Sequence, residues 1–81
     1  MFFVYILKSI NFNWFYVGMT KNINKRLSQH NNKYVHSTSK FSPFKLIYKK
    51  NFENRIDARD FEKFLKIHSN KEKILRELKY L

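Results

Sequence analysis

The sequence predicts an α/β fold: a small three-stranded, mainly antiparallel sheet flanked by helices, in the order ββαβαα. Three observations predict it. Two apolar runs near the N-terminus, Phe3 to Leu7 and Phe15 to Val17, are separated by a short turn-forming segment. A third run, Phe44 to Tyr48, follows Pro43. Between and after these runs, apolar residues recur at helical spacing behind residues that cap helices. At 81 residues the chain is read as one domain, residues 1–81, with a small core. Aromatic residues make up 19 % of it, so burial must lean on large rings.

The elements follow in order. Residues 2–8 alternate Phe3, Tyr5 and Leu7 against Phe2, Val4 and Ile6. Both sets are apolar, which suits a central strand buried on both faces. Ser9 to Asn13 supply turn chemistry, and Trp14 to Val17 read as the second strand of a hairpin. Gly18, the chain's single glycine, is read as ending that strand. It marks a special backbone conformation or a close approach. Thr20 or Asn22 caps a helix running to about residue 31, with Ile23 and Leu27 as its buried stripe. Residues 31–42 are polar and predict a mobile loop. Asn54 caps a helix over about 55–67, with Ile56, Phe61, Phe64, Leu65 and Ile67 as apolar positions. Ser69-Asn70-Lys71-Glu72 has capping-box spacing and predicts a last helix carrying Ile74, Leu75 and Leu78.

The formal charge of +11 points to polyanions, with nucleic acid before acidic membranes. Lys exceeds Arg, and Asn, Ile, Phe and Tyr are abundant, a drift expected of an AT-rich genome. That drift does not account for the mere six acids. Without Cys there is no disulfide partner and no thiolate zinc site. No apolar run reaches membrane-span length, and the start lacks a charged n-region. A soluble, cytoplasmic protein that binds no membrane is the resulting expectation.

Five residues suggest chemistry. Tyr5 and Tyr16 lie on strands expected to pair, so both phenols can reach one region, though tyrosines on strands also simply pack. Arg26 and His30 share one helical face at i, i+4; Arg offers a planar fork to phosphate, and His titrates near neutral pH. Glu62 stands between Arg59 at i−3 and Lys66 at i+4, the geometry of surface ion pairs. Its apolar neighbours suggest partial burial, and a buried carboxylate needs a partner or a hard cation. The five together can hold a phosphodiester, a metal ion and a water, and are expected to line one cleft.

The spacing of these residues resembles a known family. Val4-Tyr5, followed by Tyr16-Val17-Gly18, looks like the two halves of the GIY-YIG motif. Thr20, Arg26-Leu27 and His30 follow. Then come Pro43-x-x-Leu46-Ile47-Tyr48 and Ala58-x-x-x-Glu62-x-x-x-Lys66. The pattern is similar to the small stand-alone bacterial branch of GIY-YIG nuclease-like proteins over about residues 2–79. Phe3 stands where the first motif glycine would be, and Ile67-His68-Ser69-Asn70 replaces the usual lysine-rich run.

The resemblance implies a divalent-metal-dependent endonuclease of DNA, a phosphodiester hydrolase with a role in DNA repair. It implies that Tyr5 helps activate the attacking water, Tyr16 positions water or phosphate, and Arg26 contacts the scissile phosphate. His30 would transfer a proton, and Glu62 would bind one Mg²⁺ or Mn²⁺. Gly18 would let substrate approach the backbone, with Lys21, Lys25, Arg26 and Lys66 on the DNA-binding surface. With no appended specificity domain in view, little sequence preference is expected. Two alternatives remain open at this point: a non-catalytic nucleic-acid-binding module that retains the fold, and an interaction protein whose basic face meets a protein or RNA. The oligomeric state is not readable from the residues.

Overall fold

The computed structural model describes residues 1–81. Strand β1 (Phe2–Ser9) is central, flanked by β2 (Phe15–Thr20) and β3 (Phe44–Phe52) in the order β2-β1-β3. Both pairings are antiparallel. Three α-helices follow the hairpin: α1 (Ile23–Asn31), α2 (Arg55–Lys66) and α3 (His68–Glu77). A 3₁₀ turn spans His36–Phe41 between α1 and β3. The predicted fold class and element order are therefore observed.

The alternation along β1 divides the molecule into two cores. Val4 and Ile6 face Val17 of β2, Ala58 and Leu65 of α2, and Leu75 of α3. Tyr5 and Leu7 face the other way, against Phe44, with Ile23 and Leu27 of α1 packed alongside. A strand apolar at every position from Phe2 to Leu7 can satisfy both sets only as the middle of a two-sided sheet. The register slips between Ile6, opposite Tyr48, and Leu7, opposite Leu46. Ile47 is thus the extra residue of a bulge, which keeps apolar side chains on both faces of β3.

Several expected boundaries move. β2 runs through Gly18 to Thr20, and β3 continues past Tyr48 to Phe52, because β1 is long enough to pair with both. Asn22, not Thr20, caps α1: its Oδ1 accepts from the Lys25 N–H at 3.0 Å. Asn54 caps α2 in the same way at 2.8 Å. α3 starts at His68, so Ser69 does not cap it. Ile67 alone separates α2 from α3, and Asn70 donates back to the Phe64 carbonyl at 3.0 Å. That bond satisfies an end carbonyl of α2 and closes the helical corner.

The polar stretch 31–42 is not a free loop. Phe41 stacks on Trp14 with ring centroids 4.1 Å apart, and its carbonyl accepts from the buried Ser9 hydroxyl at 2.6 Å. Asn31 brackets the Phe44 backbone, accepting from its N–H at 2.6 Å and donating to its carbonyl at 3.3 Å. Polar composition suggested mobility; here the polar groups are the means of attachment.

Burial separates the apolar residues of α2 more sharply than their spacing did. Leu65 and Ala58 are fully buried, whereas Ile56, Phe64 and Ile67 are exposed. Leu65→Ala should cost about 2–5 kcal/mol, the range for emptying a core site. Ile56→Ala should change stability by less than about 0.5 kcal/mol. Urea unfolding of the two variants checks this contrast; equal losses would show that α2 packs through a different face.

Candidate active site

The β1–β2 register brings the two tyrosines together. Tyr5 sits opposite Gly18 and Tyr16 opposite Leu7, so both phenols project from the same face of the sheet. Their ring centroids are 6.2 Å apart. Gly18 is buried, and its φ is not positive. The reason for glycine is space. A Cβ here would collide with the Tyr5 hydroxyl and would come within 2.6 Å of the Tyr5 ring and 2.8 Å of the Tyr16 ring. The room that a side chain at Gly18 would take is filled by the phenol of Tyr5. Left-handed positions do occur, at Lys33 and Lys79 just after α1 and α3, but neither holds the glycine.

Helix α1 crosses this face and delivers Arg26 and His30 one turn apart. His30 is fully buried. Its Nε2 lies 3.2 Å from the Tyr5 hydroxyl, and its ring centroid is 4.9 Å from that of Tyr16. Arg26 is half-buried and donates to Gln29 Oε1 at 3.1 Å, with its charge against both phenols. Burial alone would lower the Arg26 pKa, but the neighbouring Tyr5 and Tyr16 oxygens outweigh it and raise it.

Burial sets the protonation of the other two groups. It pushes the Tyr5 phenol up to about 12, against the pull of Arg26, and Tyr16 and Glu62 add to the rise. Burial lowers the His30 imidazole to about 4, and the Arg26 charge adds to the fall. This corrects the expectation that His30 titrates near neutral pH. At pH 7 the cluster is a protonated phenol, a neutral imidazole and a guanidinium cation.

Behind His30 stands a residue that the sequence did not single out. Thr38, from the 3₁₀ turn, is fully buried, with its Oγ1 2.8 Å from His30 Nδ1. The signal was faint: a Thr in a Ser-rich stretch eight residues past the histidine. Only the fold of 31–42 back onto α1 makes the contact.

Glu62 is placed differently. It is half-buried on α2, which packs against the opposite core of β1. Its charge is nevertheless felt at Tyr5, where it helps to raise the phenol's pKa. Its one ion pair is with Lys66 Nζ at 3.4 Å; no pair forms with Arg59. The expected five residues thus form a contact cluster of four, with Glu62 linked to it through its field. No three carboxylates or imidazoles gather to hold a metal. Lys21 and Lys25 are exposed and line a hollow of about 390 Å³ together with Arg26 and Gln29.

The model of the GIY-YIG catalytic domain matches residues 1–75, and the chain belongs to that family. Nuclease-type function goes with the family. No curated protein and no solved structure matches the chain. No helix is long and apolar enough to cross a membrane.

The buried histidine predicts acid sensitivity. Its folded-state pKa of about 4 lies below the ordinary 6.5, so the unfolded chain binds the extra proton between those values. The stabilisation is fully present above pH 6.5 and is lost as the pH falls toward 4, up to about 3 kcal/mol. Denaturant unfolding of wild type and His30→Gln across that window should show the wild type losing more. Parallel curves would mean that His30 is solvated and free to protonate.

Proposed function

We propose that the protein hydrolyses phosphodiester bonds in DNA, with one divalent ion, Mg²⁺ or Mn²⁺, as cofactor. The observation that carries this reading is the contact of Tyr5 with His30 beneath the Arg26 guanidinium, next to a hollow edged by Lys21 and Lys25. Lysines around an open hollow receive the backbone of a polyanion, and the guanidinium is the group best shaped to grip one phosphate.

The resting protein holds Tyr5 as a phenol, so a ready-made phenolate does not serve as the base. The proton moves in a relay. A water attacks phosphorus and gives its proton to the Tyr5 oxygen as the phenol proton passes to His30 Nε2. A new P–O bond forms, the bond to the leaving oxygen breaks, and the leaving alkoxide is protonated from solvent. The proton on His30 returns to solvent by way of Tyr5 after release. Arg26 stabilises the charge on the phosphate oxygens, and Tyr16 orients the water or the phosphate.

Glu62 fits the role of sole protein ligand. It offers hard oxygen donors, is half-buried, and is held only by a lysine whose side chain is 58 % exposed and easily displaced. Mg²⁺ tolerates such a site because it keeps several waters. The ion, when bound, supplies Lewis-acid stabilisation of the phosphate and the leaving oxygen. Lys66, released from Glu62, joins Lys21 and Lys25 in contacting the DNA backbone.

Binding to duplex DNA should be nearly indifferent to sequence and should weaken steeply with salt. Neutralising roughly five phosphates gives a log–log slope of about −4.5. Fluorescence anisotropy across a salt series measures it; a slope near zero would attribute the +11 charge to composition alone.

The sharper test is cleavage of nicked, flapped, branched and plain duplex DNA in Mg²⁺, in Mn²⁺ and with chelator. Glu62→Ala should lose about 10²-fold or more in rate while binding DNA as well as wild type. Arg26→Ala should weaken both. Undiminished cleavage by Glu62→Ala would remove Glu62 from the mechanism. A wild type that binds but never cleaves would leave a nucleic-acid-binding module.

A further inference from the structure

The buried hydrogen bonds around His30 have a direction, and the inventory of donors and acceptors fixes it. Tyr5 is only 2 % exposed, and its hydroxyl has one acceptor within reach, His30 Nε2 at 3.2 Å. Arg26, the other side chain that hydrogen-bonds to the phenol, is only a donor. The phenol proton therefore has Nε2 as its protein acceptor, and a buried hydroxyl donates wherever an acceptor is in reach. Nε2 is then bare. The imidazole is neutral, so its single proton is on Nδ1. Nδ1 faces Thr38 Oγ1 at 2.8 Å.

The far end of the chain agrees. A threonine hydroxyl carries one hydrogen, and Thr38 has a second acceptor for it: the Val35 carbonyl at 3.3 Å. With its hydrogen on Val35, Thr38 Oγ1 offers a lone pair to the Nδ1–H. Every proton then runs one way, from Tyr5 to His30, from His30 to Thr38, and from Thr38 to the backbone. The reversed arrangement would put a proton on Nε2, aim it at the Tyr5 oxygen, and leave the phenol proton with no protein acceptor.

We propose that Thr38 is a positioning residue that holds His30 as the Nδ1–H tautomer, keeping Nε2 open to receive the Tyr5 proton. It touches neither substrate nor the reacting atoms. Its effect is to keep the one lone pair of the imidazole on the side where Tyr5 needs it. The proposal deepens the nuclease reading and takes its catalytic consequence from that reading, but the tautomer itself is a property of the free protein.

The experiment is ¹⁵N NMR of the full chain with labelled histidine at neutral pH, without DNA. His30 is distinguished from His36 and His68 by the signals lost in His30→Gln. In wild type, Nδ1 should give a protonated, pyrrole-type shift and Nε2 an unprotonated, pyridine-type shift. Thr38→Val keeps the shape but removes the acceptor, and should move the population toward Nε2–H. Thr38→Ser restores the hydroxyl and should restore the wild-type pattern. In the cleavage assay, Thr38→Val should slow the rate by about 10²-fold or more at nearly unchanged DNA affinity, with Thr38→Ser close to wild type.

A wild type with the proton on Nε2 overturns the proposal, as does a folded Thr38→Val that keeps the wild-type tautomer. Should Thr38→Val fail to fold, the wild-type and Thr38→Ser spectra still decide it. Failure of the nuclease reading looks different: the tautomer follows residue 38 as described, yet wild type cleaves no DNA with any metal.

Discussion

Burial of β1 on both faces is the constraint on which the rest of this small protein depends. Val4 and Ile6 hold the α2–α3 corner on one side, and Tyr5 and Leu7 hold α1 and the 3₁₀ turn on the other. A domain of this size has few residues with which to form a core. It forms two by giving the central strand no solvent face. Tyr5 is thereby both a core side chain and the centre of the chemical cluster. Its position is over-determined by packing, by the absence of a side chain at Gly18, and by the contact with His30.

That dual role has an electrostatic consequence. Removing Tyr5 and His30 from water pushes their pKa values apart and away from neutrality, one up and one down. Neither is charged at rest, so the core carries no unpaired ion, and the one fixed cation, Arg26, stays half-buried at the edge of the hollow. The cluster is stable because its protons are in place. A solvated tyrosine would ionise more easily but would not be aimed. Burial here exchanges acidity for orientation.

Glu62 stands apart from the Tyr5–His30 cluster. It belongs to the helix that packs on the opposite core, and it reaches the Tyr5 environment through its field rather than by contact.

Much of this was legible in the sequence. Period-two alternation fixes a two-sided central strand because side chains leave a strand on opposite faces by geometry alone. Asparagine caps at positions 22 and 54 locate two helix starts because their side chains serve only nearby amides. Arg26 and His30 share a face by helical period, and the order of Tyr5, Tyr16, Arg26 and Glu62 points to the family. What the sequence could not carry is whatever depends on distant segments meeting. The polar stretch 31–42 reads as a loop, yet it supplies Thr38, because a buried hydroxyl and a solvated one look alike until the partner is known. The single glycine announces a special position but not that a phenol fills the space above it. Apolar spacing on α2 cannot tell buried Leu65 from exposed Ile56, since which face is covered is decided by the sheet and not by the helix. The protonation of His30 belongs wholly to the tertiary structure: residue type sets the ordinary pKa, and only burial beside Arg26 decides that this imidazole stays neutral.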